Sequence, residues 1–91
     1  MAIEFNCNPV VGEVTVTQQE QEIIIPKVFR IIISVDGPRV QVSFNDNLNY
    51  VTYHYADGKT EVFNSSGIDK MFVKSDGYTQ DDLNIRFWGY R

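Results

Sequence analysis

Apolar residues recur at every second position through most of this chain, and that period of two is the spacing of a β-strand buried on one face. Val14 and Val16 alternate with Glu13, Thr15 and Thr17. Phe29, Ile31, Ile33 and Val35 fall on one face, with Arg30, Ile32 and Ser34 on the other. Val40, Val42 and Phe44 are separated by Gln41 and Ser43, and Leu83, Ile85 and Phe87 by Asn84 and Arg86. No window keeps apolar residues at i, i+3, i+4 and i+7 over three turns, so no amphipathic helix is expected.

The turn residues agree with the strands. Asp36-Gly37-Pro38, Asp57-Gly58 and Asp76-Gly77 supply the Gly that a tight turn needs at positive φ. Asn45-Asp46-Asn47 and Asn64-Ser65-Ser66-Gly67 read as loops. The pattern predicts about eight short strands near 3–6, 12–17, 22–26, 28–35, 39–45, 49–56, 60–64, 71–75 and 83–88. The third and fourth can be one strand bent at Pro26, because Pro is barred from central ladder positions. Hairpins are expected over 28–45 and 49–64. The expected fold is all-β: one domain over 1–91, an antiparallel β-sandwich or jelly roll.

Size and charge narrow the function. A chain of 91 residues builds one domain with a thin core, and such domains often gain stability by oligomerising. The net charge of −4 disfavours nucleic acid and anionic membranes as partners. Cys7 is the only cysteine, so no internal disulfide forms. With no basic stretch leading into an apolar run, the expectation is synthesis in the cytoplasm without a signal peptide.

Catalytic chemistry has little to work with. A Ser-His-Asp triad would have to use His54, the single histidine, and Cys7 with His54 is the single thiol dyad. His54 lies in a strand-like run between Tyr53 and Tyr55, where an ordinary strand histidine is the simpler reading. No nucleophile elbow surrounds Ser65, Ser66 and Gly67. Asp46 among Asn45, Asn47 and Asn49, and Asp76 near Asp81 and Asp82, lack the spacing of a calcium loop and suit turn chemistry instead. Neither a metal nor a cofactor is expected, and the chain reads as a non-enzyme.

Aromatic residues are the remaining candidates: five Tyr, six Phe and one Trp make 13% of the chain. Tyr53 and Tyr55 share a predicted face, Tyr50 sits on the other with His54, and Trp88 and Tyr90 share a face at the chain's end. Exposed rings anchor protein interfaces or stack on sugars, and buried ones complete a core or pair across strands. A terminus bearing Phe87, Trp88 and Tyr90 is costly to leave in water, so packing on its own domain or on a neighbouring subunit is expected. The interface candidates are Phe87, Trp88 and Tyr90, followed by Tyr53 and Tyr55.

The segment Ile23-Ile24-Ile25-Pro26-Lys27-Val28-Phe29-Arg30 and the closing Trp88-Gly89-Tyr90, in a short acidic all-β chain, resemble small virion proteins of tailed bacteriophages, including capsid decoration or cement proteins. The resemblance implies a homo-oligomer, often a trimer, seated on another virion protein, with no catalytic residues to carry over. The first expectation is therefore a non-enzymatic virion structural protein. The alternative is a carbohydrate-binding or receptor-binding module in which Tyr50, Tyr53, Tyr55 or Trp88 stack on a glycan. A nucleic-acid-mimicking inhibitor ranks last, because Glu13, Glu20, Glu22, Asp36, Asp57 and Asp81 are spread among Lys and Arg.

Overall fold

The alternation seen in the sequence becomes an alternation of burial. Ile31, Ile33 and Val35 are buried while Arg30 and Asp36 face out, and Leu83, Ile85 and Phe87 are buried while Arg86 and Tyr90 face out. The computed structural model describes residues 2–6, 9–37, 39–75 and 83–90, with Tyr55 described by its backbone only. These residues form seven strands: β1 (Ala2–Glu4), β2 (Val10–Thr15), β3 (Gln21–Asp36), β4 (Val40–Phe44), β5 (Val51–Tyr53), β6 (Lys59–Ser75) and β7 (Asn84–Tyr90). A 3-10 turn, Tyr55–Asp57, joins β5 to β6, and there is no α-helix among the described residues.

The strands lie in one sheet in the order β2-β7-β3-β6-β4-β5, with β1 added in parallel beside the first part of β3. All other neighbours are antiparallel. Two long strands, β3 and β6, run through the whole sheet and bend together. The ladder is regular from Gln21 to Ile24 and again from Arg30 to Ser34, and its register shifts between them on either side of Val28. One half of the sheet thus holds β2, β7 and the second part of β3 with the first part of β6. The other half holds β1, the first part of β3 and the second part of β6 with β4 and β5. The bend folds the halves over one core, giving a sandwich-like domain. Backbone bonds from Ser75 N to Thr17 O (2.8 Å) and Val16 N to Leu83 O (2.7 Å) tie the far ends together.

The bend bears out one expectation and explains two departures from the sequence pattern. The predicted strands 22–26 and 28–35 are one strand, as Pro26 allowed, broken in register next to Pro26 as a ladder without that N–H must be. The predicted strands 60–64 and 71–75 are also one strand, and the loop-like residues between them form the matching corner of β6. There Ser66 N donates to Asn64 Oδ1 (2.9 Å), and Gly67 takes φ 94° beneath the Lys27 side chain, where a Cβ would collide. Finally, the register shift at the bend turns Phe29 outward, 40% exposed, and places Val28 in the core instead.

The expected hairpins 28–45 and 49–64 do not form. β3 pairs with β1, β6 and β7, and β4 pairs with β5 and β6. Gly37, at φ 146° against Leu83, and Gly58, at φ 68°, do change the chain's direction. Each sends it across to the other half of the sheet instead of back along the same strand, because the β3–β6 ladder has already taken the neighbouring position. β4 and β5 form the hairpin that is present, around 45–50.

Both halves feed the core. Val10, Val14, Ile31, Ile33, Ile85 and Phe87 meet Ile23, Ile68, Met71, Val40, Val42 and Val73. Phe87 meets Phe5 edge-on at 5.1 Å, and both rings close over Gly12, where a Cβ would lie 2.5 Å from Phe87 and 2.7 Å from Phe5. Gly12 is therefore required by this close approach of rings to backbone.

Candidate functional surface

Four strands, β2, β7, β3 and β6, present an outer face whose side chains line up in rows set by the register. Tyr90, Arg30 and Phe63 make one row. Val11, Trp88, Ile32 and Glu61 make the next, and Glu13, Arg86, Ser34 and Lys59 the third. Thr15, Asn84 and Asp36 make the last. The first two rows carry the apolar surface: Phe63 is 71% exposed, Val11 and Tyr90 each 43%, and Trp88 and Ile32 are half-buried. The other two are polar. Arg86 Nε lies 2.7 Å from Glu13 Oε2, its Nη2 lies 3.7 Å from Asp36, and Thr15 Oγ1 donates to Asn84 Oδ1 at 3.0 Å.

Cations border the rings. The Arg30 guanidinium lies 4.7 Å from the centre of the Tyr90 ring, and Lys59 Nζ lies 5.2 Å from that of Trp88. These contacts hold the rings in place at an exposed site. The result is an aromatic patch with mixed charge on its rim.

The predicted interface residues separate accordingly. Trp88 and Tyr90 lie on this face. Phe87 points the other way and is 1% exposed, so it belongs to the core and offers nothing to a second protein. Tyr53, at the end of β5 opposite Val40, is likewise buried, at 7%. Tyr55 falls on the 3-10 turn, not on a strand shared with Tyr53, and its side chain lies outside the described atoms. The sequence reading missed Val11, Ile32 and Phe63. They join Trp88 and Tyr90 through cross-strand register, which one strand's alternation does not reveal.

The tyrosines proposed for sugar stacking do not share a row with Trp88. Tyr53 is in the core. Tyr50 lies beside the other half of the sheet, where its hydroxyl donates to Glu20 and Lys74 Nζ sits 4.1 Å over its ring. Burial, followed by the hydrogen bond and negative charge of Glu20, pushes the Tyr50 phenol above its usual pKa, and burial alone does so for Tyr53. The folded chain therefore holds both phenolic protons more tightly than the unfolded chain. Stability from this source is complete below the unfolded phenol value of 10.0 and declines as pH rises beyond it. Urea denaturation between pH 8 and pH 11 should show midpoints falling above about pH 10, less steeply in Tyr53→Phe. An unchanged midpoint would overturn this assignment.

The other polar candidates hold turns. His54 Nδ1 accepts from Ala56 N (3.0 Å) and His54 N donates to Asp57 Oδ2 (2.9 Å), so His54 organises the 3-10 turn and is not a strand residue. Asp46 Oδ1 accepts from Ser43 Oγ (3.2 Å) and Leu48 N (3.0 Å). Cys7, Asp76, Asp81 and Asp82 lie outside the described residues. Among the described residues, no group of three or more His, Cys, Asp or Glu is placed to hold a metal ion. The acidic residues are dispersed: Glu13 and Asp36 flank Arg86, Glu22 meets Lys70 at 3.3 Å, and Glu20 meets Tyr50. Compared with models of known protein families and with curated proteins, the sequence matches no family and no relative.

Proposed function

We propose that the protein is a non-enzymatic structural protein of a virion, of the capsid decoration type, which acts by stoichiometric protein–protein binding through the outer face of β2, β7, β3 and β6. The observation that carries the binding role is the aromatic patch of Trp88, Tyr90, Phe63, Val11 and Ile32, held rigid on a sheet and rimmed by Arg30, Lys59 and Glu61. The virion setting comes from the sequence resemblance of the Ile23 to Arg30 segment and the Trp88-Gly89-Tyr90 ending.

A patch built on four paired strands has its backbone ordered in advance, so little conformational freedom is lost when a partner covers it. Trp and Tyr supply large apolar area with few rotatable bonds, and the bordering charges orient the partner. The partners are further copies of this chain, in a closed ring such as a trimer, and the shell protein beneath them. The test is the mass of the purified protein in solution by light scattering across concentration. Mass above the monomer, reduced when Trp88 is truncated, supports self-assembly through this face. A monomer at every concentration that also fails to bind assembled shells overturns the proposal.

A further inference from the structure

β6 is paired on both sides only in its second part. Residues 71–73 lie between β3 and β4, while residues 59–63 pair with β3 alone. The change has a visible cause. β4 leaves β6 at Phe44, and Asn45, at φ 67°, closes the ladder with its side chain: it donates to Gly67 O (2.9 Å) and accepts from Asp69 N (3.2 Å). Before Gly67, no described strand meets the side of β6 that faces away from β3. Residues 59–63 contain neither Pro nor a bulge, and the devices that guard this edge are the exposed charges of Lys59 and Glu61, which turn away partners that do not match them.

We propose that this edge pairs with the same edge of a second copy of the chain, antiparallel about a two-fold axis through Thr60. Charge selects both the occupant and the register. Lys59 and Glu61 are exposed on one face of the strand, two residues apart. With Thr60 opposite the partner's Thr60, Lys59 stands opposite the partner's Glu61, and Glu61 opposite the partner's Lys59. Thr–Thr and opposite-charge pairs are favourable cross-strand neighbours. Moving the register so that Glu61 is central sets two carboxylates against each other. The paired edge joins two four-stranded halves into one sheet with both Trp88 patches on the same side, a broader surface for the proposed shell partner. Lys59 and Glu61 also border that face, so it is the rescue of one reversal by the other, and not a single reversal alone, that separates the edge contact from the face. The ladder is short, so the dimer is weak in dilute solution and is strengthened where a third surface holds copies side by side.

The test is a charge swap read by sedimentation equilibrium up to about 1 mM, the affinity range of small contacts. Lys59→Glu and Glu61→Lys each create two like-charge pairs and should weaken dimerisation by about tenfold or more. An equimolar mixture of the two variants should restore it, because the heterodimer has opposite charges at both positions, and the double swap in one chain should restore it too. Thermal melts of each variant confirm that the fold is intact, and rescue by mixing excludes simple misfolding. A wild-type monomer throughout, single reversals without effect, or a mixture that stays dissociated would each overturn the edge pairing. Association that is insensitive to the reversals but lost in Trp88→Ala would assign self-assembly to the aromatic face and reject the edge.

Discussion

Phe87→Ala is expected to remove about 3–5 kcal/mol of folding stability, the range for truncating a buried aromatic side chain. A chain of 91 residues has roughly 5–14 kcal/mol in total, at about 0.05–0.15 kcal/mol per residue, so this one change takes a large share. The geometry places the cost towards the upper end. Phe87 is 1% exposed, meets the edge of Phe5 and roofs Gly12. Gly12 has no side chain to swing into the gap, and β2 and β7 are held in register on both sides of it. The cavity therefore persists instead of collapsing, and its lining loses contacts outright.

Urea denaturation measures the effect as a shift of midpoint at constant slope, and a melting temperature lowered by tens of degrees should accompany it. A shift no larger than that of an ordinary surface substitution, about 0.5 kcal/mol, would show that Phe87 is not in the core. The prediction also bears on function. If Phe87 were an interface residue, its truncation would lower association while leaving the monomer's stability intact.

How far the sequence reveals the molecule depends on the range of the interaction. Alternation is local, and it assigned Val14, Val16, Ile31, Ile33, Val35, Leu83, Ile85 and Phe87 to buried faces correctly. It misplaced Phe29, because a register shift is set by how β3 meets β6 and not by the residues of β3 alone. Gly37 and Gly58 were legible as changes of direction. Which strand follows as a neighbour was not legible, since that choice is made by the long β3–β6 pairing, whose partners run from Ser34 with Lys59 to Gln21 with Val73, far apart in the chain. The surface shows the same division. Trp88 and Tyr90 stood out as aromatic residues on one face of one strand. Their neighbours Val11, Ile32 and Phe63 come from three other strands, and only the register places them together. The tyrosine run failed as a site because Tyr53 fills the core and the chain turns at Tyr55.

Trp88→Ala should do the reverse of Phe87→Ala, although the two residues are adjacent. Trp88 lies half-buried on the outer face between Val11 and Ile32, with Lys59 over its ring. Its truncation opens no cavity in the core, so the urea midpoint should move by about 1 kcal/mol or less, the scale of a cross-strand pair and an exposed cation–π contact. Association through the face should weaken by about 2 kcal/mol or more, roughly thirtyfold, since a central Trp ringed by smaller apolar and charged groups has the position and chemistry of a hot spot. Thr15→Ala, two rows away on the same face, serves as the control and should change association by less than about threefold. Light scattering and binding to assembled shells read the first quantity, and denaturation of the same samples reads the second. Equal loss in Trp88→Ala and Thr15→Ala, or none in either, would remove the aromatic face from the mechanism. Loss of association confined to Trp88→Ala, with the fold preserved, would identify the outward side of β7 as the binding side and its inward side as the structural one.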